Sequence, residues 1–143
     1  MKISRVRLIL ALTLAAFAAL ASAEEIVVIV NPKNSAVSVT AGQVEQIFLG
    51  KTTSLPGGGN ASPVDRADGS PLRDAFYEKA SGKSASQVKA IWSRLVFSGK
   101  GTPPKMLASS AEVKKFVASD PNAIGYIEKS AADASVKIVL SLP

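Results

Sequence analysis

The stretch that most constrains the fold reads Glu24-Glu25-Ile26-Val27-Val28-Ile29-Val30-Asn31-Pro32. Its five central residues are all β-branched and follow one another without a polar interruption. A continuous run of this kind predicts a strand buried on both faces, because a strand with one wet face alternates apolar and polar residues. The Asn-Pro pair ends the strand, and other elements must then cover both sides of its sheet.

Four later segments have the spacing of amphipathic helices, and each begins at a good capping residue: Thr40, Ser70, Ser84 or Ser109. Their predicted buried faces are Val44, Ile47 and Phe48; Leu72, Ala75 and Phe76; Val88, Ile91, Trp92 and Leu95; and Val113, Phe116 and Val117. Trp92 and Phe97 are expected in the core. Runs at 63–66, 124–127 and 136–140 predict further strands. The fold class is therefore α/β, a mixed sheet flanked by about four helices.

The first 23 residues are typical of a signal peptide. Lys2, Arg5 and Arg7 precede an apolar run at 8–20, and Ala21-Ser22-Ala23 supplies the small residues of a cleavage site. The alternative is a retained membrane anchor, but a run of about 13 residues is short for a hydrocarbon core of about 30 Å. We expect a leader at 1–23, one domain at 24–143, and export of that domain.

The composition argues against most enzymes. The 143 residues include no Cys and no His, so thiolate nucleophiles, disulfides and the commonest general base and metal ligand are absent. No cofactor or metal is expected. Without the leader, 14 basic and 11 acidic side chains leave a net charge of +3. The basic residues lack the aromatic interleaving of nucleic-acid surfaces, so nucleic acid is not an expected partner.

The strongest chemical signal lies in Asp65-Arg66-Ala67-Asp68-Gly69-Ser70-Pro71-Leu72-Arg73. A strand end delivers Arg66, a glycine turn follows, and the Ser70 hydroxyl sits at the start of a helix whose first amides have no internal partners. Together these groups suit an oxyanion. In the alternative, Ser70 only caps its helix, and Arg66 pairs with Asp68 or Asp74. An acid/base pair or metal site built from these aspartates is less favoured, because no third ligand stands at a recognisable spacing.

Three stretches together resemble the phosphate-binding proteins of bacterial ABC transporters, which have the type 2 periplasmic-binding fold. Residues 26–31 resemble the strand that crosses into the second lobe of that family. Val44-Glu45-Gln46-Ile47-Phe48-Leu49-Gly50-Lys51 resembles its helix ending in Ile-Phe-x-Gly-Lys, and Pro121-Asn122-Ala123-Ile124-Gly125-Tyr126 resembles its Pro-x-x-Ile-Gly-Tyr turn. The resemblance implies a periplasmic protein that works with a membrane transporter.

The family's phosphate segment in this lobe reads Arg-Ser-Asp-Gly-Ser-Gly-Thr. The resemblance therefore implies that Arg66, Asp68, Gly69 and Ser70 bind the ligand, and that Arg73 supplies compensating charge. Ala67, Pro71 and Leu72 depart from the pattern. Pro71 lacks an amide hydrogen and Leu72 lacks a hydroxyl, so two donors to the anion are lost.

The chain after the leader is long enough for only one of the two lobes of that family. We expect a one-lobe, solute-binding-like protein that takes phosphate or a related oxyanion for transport or sensing, with a homodimer as one way to close the site. The alternative is a periplasmic interaction module that keeps the fold without a ligand. A broad apolar surface next to Arg66 would favour the module, whereas a polar concavity would favour the anion.

Overall fold

The computed structural model describes residues 24–143, so the predicted leader lies outside the described residues. The strands are β1 Ile26–Val30, β2 Ser62–Arg66, β3 Lys105–Leu107, β4 Ala123–Glu128 and β5 Lys137–Leu142. The helices are α1 Ala41–Phe48, α2 Pro71–Ser81, α3 Ala85–Phe97 and α4 Ser110–Ser119, with a 3-10 turn at Lys129–Ala131. Between residues 24 and 143, no helix combines the length and the apolar character needed to cross a membrane.

The five strands form one mixed sheet in the order β3-β2-β4-β1-β5. Strand β2 runs parallel to both β3 and β4. Strand β1 lies between β4 and β5 and is antiparallel to both. The predicted mixed sheet with four flanking helices is confirmed.

Strand β1 is buried on both faces, as its unbroken β-branched run predicts. Each of its five residues is at most 1% exposed. Ile26, Val28 and Val30 pack into a cluster with residues of α1, α2 and α3. Val27 and Ile29 point to the other face and pack against α4. The helices therefore cover both sides of the sheet, and between residues 24 and 143 they form two hydrophobic clusters, one on each face.

The predicted caps hold all four helices at their starts. Thr40 and Ser84 form complete capping boxes with Gln43 and Gln87, while Ser70 and Ser109 accept hydrogen bonds from the amides three residues on. Trp92 is 8% exposed and donates its indole N–H to the Phe48 carbonyl oxygen at 3.0 Å. The core position predicted for Trp92 is therefore confirmed.

Two features of the α3–β3 region differ from the sequence-based prediction. Phe97 is 96% exposed, so its expected core position is wrong. Five residues beyond Trp92, it is turned about 140° around the helix from the buried face. Strand β3 was not predicted, because its three residues are too few to show a period.

Candidate functional site

Three parallel strands bring their carboxyl ends to one edge of the sheet. Strand β2 ends at Arg66 and leads into α2, whereas β3 ends at Leu107, opposite Arg66 in register, and leads into α4. Strand β4 runs in the same direction and ends at Glu128. We call this region the carboxyl edge. It gathers two helix N-termini, whose free amides and positive dipole ends favour anions.

The turn between β2 and α2 carries the residues that the sequence singled out. Gly69 has φ +83°, a conformation that glycine adopts without steric cost. The Ser70 hydroxyl accepts a hydrogen bond from the Arg73 amide at 3.4 Å, and Pro71 occupies the first helical position. Because Pro71 has no amide hydrogen and the Arg73 amide is used by the cap, the Leu72 amide is the donor that this first turn can offer an anion.

Arg66 projects toward the start of α4. Its Nη1 donates to Ser110 Oγ at 2.9 Å and its Nη2 to the Ala108 carbonyl oxygen at 3.2 Å. Its Nε is buried and has no hydrogen-bond partner. Among residues 24–143, no carboxylate oxygen lies within 4.0 Å of this guanidinium, so the expected alternative in which it pairs with Asp68 or Asp74 is not observed.

Arg73 points to the opposite side of the turn and is only 4% exposed. Its Nε lies 3.4 Å from Asp65 Oδ2 and its Nη1 lies 2.9 Å from Asp68 Oδ1. Burial alone would lower the pKa of Arg73, but the charge of Asp65, its hydrogen bond to Arg73 and the two neighbouring tyrosines together more than offset this, so the pKa is raised. The family resemblance suggested that Arg73 could supply charge to a ligand, but this charge is balanced within the protein by Asp65 and Asp68.

Asp65 is the centre of a buried polar network. It is 1% exposed and accepts hydrogen bonds from the Tyr77 hydroxyl at 2.6 Å, the Tyr126 hydroxyl and the Arg66 amide at 2.8 Å, besides its contact with Arg73. Burial, reinforced by the negative charge of Asp65, raises the pKa of both tyrosines well above the ordinary value. The network anchors the strand end from which Arg66 projects.

Ser110 and Glu128 belong to the carboxyl edge, and the sequence did not point to them. Ser110 Oγ accepts from Arg66 and donates to a Glu128 carboxylate oxygen. The one sequence signal near Ser110 was the Ser109-Ser110 pair at the start of α4, and this pair predicted only a helix cap. Without strand β3, nothing in the sequence placed that helix start beside Arg66.

The described residues contain no group of three or more metal-ligating side chains, so they support no metal site built on Asp65, Asp68 and Asp74.

A groove of about 480 Å³ lies beside this turn, on the Arg73 side. We call it the α3 groove. Apolar side chains dominate its wall: Trp92, Val96, Phe97, Pro103, Pro104 and Met106. Asp68 and Arg73 close one end, and Lys89 stands on the α3 side. The carboxyl edge and an exposed apolar surface are thus neighbours.

No protein-family model and no curated protein matches the sequence. Solved structures do match the fold. A candidate phosphate ABC transporter substrate-binding protein with bound phosphate, from Clostridium perfringens, is similar with a TM-score of 0.67 at 30% identity, covering 81% of this chain and 44% of that one. An ABC-type phosphate transport receptor from Vibrio cholerae has a TM-score of 0.64 at 21% identity, covering 81% of this chain and 45% of that one.

A possible phosphate-binding protein from Planctomyces limnophilus is similar with a TM-score of 0.61 at 18% identity, covering 81% of this chain and 40% of that one. The chain therefore spans less than half the length of these solved structures. Its architecture is that of one lobe of a periplasmic-binding-protein fold, and the fold expected from the sequence resemblance is confirmed.

Proposed function

We propose that the carboxyl edge binds phosphate or a closely related oxyanion, and that the chain serves as a solute-binding component of an ABC-type system. One observation carries the proposal. Arg66 is a part-buried guanidinium at a strand end with no carboxylate within 4.0 Å in the described chain and with a buried, unpartnered Nε. A positive charge removed from water without an acidic partner is stabilised by an anion that supplies the missing acceptors.

The surroundings of Arg66 supply the other groups that an oxyanion needs. The starts of α2 and α4 contribute amides and the positive ends of two helix dipoles, and Ser70 contributes a hydroxyl. In this proposal Gly69 shapes the turn. Asp68 acts indirectly by holding Arg73, which keeps the turn in place.

Glu128 favours an oxyanion that still carries a proton. Its carboxylate reaches Ser110, which in turn accepts from Arg66, so an acceptor stands close to the guanidinium. A hydrogen phosphate ion can donate to such an oxygen, whereas sulfate at neutral pH has no proton to give and meets an uncompensated negative charge. We therefore expect phosphate to bind more tightly than sulfate.

The same proposal includes a location for the chain and a partner protein. The predicted leader at 1–23 would export the chain to the periplasm, where a membrane transporter would be its partner. A single lobe leaves the site open to water, which weakens each polar contact. A second copy of the chain or another protein closing over the carboxyl edge would exclude that water. The structural neighbours named above are transport and binding proteins, and we propose binding rather than catalysis for this chain.

Titration calorimetry with phosphate and sulfate tests this proposal on residues 24–143, which contain both hydrophobic clusters described above. Arg66→Ala should weaken phosphate binding about tenfold or more, because a hydrogen bond to a charged group contributes about 1.5–3 kcal/mol. Arg94→Ala is the matched control, since Arg94 is exposed on α3 and has no ion pair within the described chain. Equal heats for the three proteins, or no heat with either anion, would remove oxyanion binding as the function.

A second candidate is an interaction module that keeps the fold without a ligand. The α3 groove favours it, because an exposed apolar surface next to the candidate site is what such a module requires. Phe97→Ser should then abolish partner binding while leaving the phosphate titration unchanged. Loss of phosphate binding in that variant would instead make the groove part of the anion site.

A further inference from the structure

One side of helix α3 carries four exposed residues at helical spacing. Lys89, Ser93, Val96 and Phe97 lie within about 100° of the helix circumference, because each follows the last by four, three or one positions. All four are exposed and line the α3 groove. Val96 and Phe97 are 51% and 96% exposed, and only three other large apolar side chains between residues 24 and 143 are similarly exposed. This side of α3 is therefore an uncovered apolar surface.

The charges around the α3 groove balance one another. Two acidic residues, Asp65 and Asp68, and two basic residues, Arg73 and Lys89, line it. Arg73 contacts both aspartates, whereas Lys89 has no carboxylate within 4.0 Å in the described chain. A strongly charged peptide or an anionic membrane finds no complementary net charge here. A surface of the same composition meets no net repulsion, so the charge balance favours a second copy of the chain.

The same face carries both a projecting apolar group and an apolar recess. Phe97 is the last residue of α3, and its ring projects almost fully into solvent. The groove beside it has a volume of about 480 Å³, and its walls include Trp92, Pro103 and Met106. A twofold axis brings the projecting group of each copy to the recess of the other. One patch therefore supplies both halves of an interface, as a symmetric dimer requires.

We propose that a second copy of the chain docks on the α3 groove, with the two α3 helices antiparallel and Ser93 of each copy beside the twofold axis. The small Ser93 side chain lets the two helices approach closely. Lys89 and Phe97 each lie four residues from Ser93, in opposite directions along α3.

An antiparallel pair centred on Ser93 places Lys89 of each copy against Phe97 of the other. The aliphatic stem of the lysine covers the ring, and its ammonium lies over the ring face. This contact occurs twice in the dimer. The two Lys89 ammonium groups are then about 12 Å apart along the helix direction, a distance over which salt screens most of their repulsion.

Sedimentation equilibrium of residues 24–143 over a range of concentrations tests the association, and a reversible dimer is the expected result. Phe97→Ser should weaken dimerisation about a hundredfold or more, because the dimer buries this ring twice. Its matched control is Val37→Ser, since Val37 is 81% exposed in the loop after β1. Lys89→Ala should weaken dimerisation about fivefold. Lys115→Ala should leave it unchanged, because Lys115 is exposed on α4 at the other face of the sheet.

Engineered cysteines test the position of the twofold axis. The chain contains no cysteine, so Ser93→Cys introduces a single thiol. A disulfide requires Cα atoms within about 7 Å of each other, which only residues near the axis satisfy. Ser86 is exposed on nearly the same side of α3 but lies seven residues from Ser93, so its two copies are about 21 Å apart along the helix direction. Mild oxidation should cross-link the Ser93→Cys variant and leave the Ser86→Cys variant monomeric under denaturing conditions.

Three outcomes would overturn the proposal. A chain that stays monomeric at every concentration would assign the α3 groove to a different partner. A dimer that Phe97→Ser weakens no more than Val37→Ser does would place the interface elsewhere, and equal cross-linking of the two cysteine variants would exclude an axis at Ser93. This interface does not include Arg66 and does not rest on oxyanion binding, so the phosphate titration decides that function separately.

Discussion

Arg66 and Arg73 lie at the two ends of one short turn and have opposite surroundings. Arg73 is nearly inaccessible and contacts Asp65 and Asp68, so its charge is balanced within the fold. Arg66 has only neutral acceptors and one unpartnered nitrogen. This contrast shows that the positive charge of an arginine does not by itself make it a ligand-binding residue. An arginine whose charge the protein has already neutralised stabilises the fold, whereas one left without an acid is available to a ligand.

The largest expected effect separates the two arginines by their contributions to stability. Arg73→Ala should lower the free energy of unfolding by about 3 kcal/mol or more, because it leaves the buried Asp65 without its cation. Arg66→Ala should cost less, about 1–2 kcal/mol, since it removes two hydrogen bonds to neutral groups but also a part-buried cation that has no acidic partner. Urea denaturation of the two variants measures both changes.

Arg94→Ala is the control for this pair and should change stability by about 0.5 kcal/mol or less, because the side chain is on the surface. Asp65→Asn in the Arg73→Ala background should recover part of the loss by removing the unpaired charge. If Arg66→Ala proved as destabilising as Arg73→Ala, the contrast between a structural and a ligand-facing arginine would be refuted.

The network behind Arg73 predicts a loss of stability at high pH. Folding raises the pKa of Tyr77 and Tyr126, so the folded chain keeps two protons that the unfolded chain releases near pH 10. The unfolded state then binds fewer protons, and the free energy of unfolding falls as the pH rises above about 10. Below that value the contribution is fully present. Urea denaturation across this range measures the slope.

Tyrosinate absorbance gives a direct readout, because these two are the only tyrosines in the chain. The absorbance should appear together with unfolding and not at the ordinary tyrosine pKa. A variant carrying Tyr77→Phe and Tyr126→Phe should be less stable at neutral pH and should show a shallower fall at high pH. Ionisation near pH 10 in a chain that remains folded would show that Asp65 is not closely surrounded by the two hydroxyls.

The sequence predicted the parts of this region that depend on local pattern. The β-branched run gave β1, and cap spacing gave the starts of all four helices, because such signals act within a few residues. The partners of the two arginines depend on contacts between distant segments. Tyr126 reaches Asp65 across 61 positions and Ser110 reaches Arg66 across 44, so no local pattern could assign which arginine was neutralised.

The smallest effect concerns the start of α2, where Pro71 and Leu72 replace the Gly and Thr of the resembling family. The fold places Pro71 at the first helical position, where a restored amide would face the carboxyl edge beside the Ser70 cap. Pro71→Ala returns that amide without the flexibility of glycine, and Leu72→Thr adds a hydroxyl. Together they should tighten phosphate binding about tenfold, since one charge-assisted hydrogen bond contributes about 1.5–3 kcal/mol and part of it offsets the loss of proline's preset φ.

Calorimetric titration of phosphate into Pro71→Ala, Leu72→Thr and the double variant measures this gain in affinity. The pair combined with Arg66→Ala should show no such gain, because the new donors act on an anion that Arg66 holds. If neither donor improved affinity while Arg66→Ala still abolished binding, the anion would lie toward α4 and Ser110, away from the α2 start.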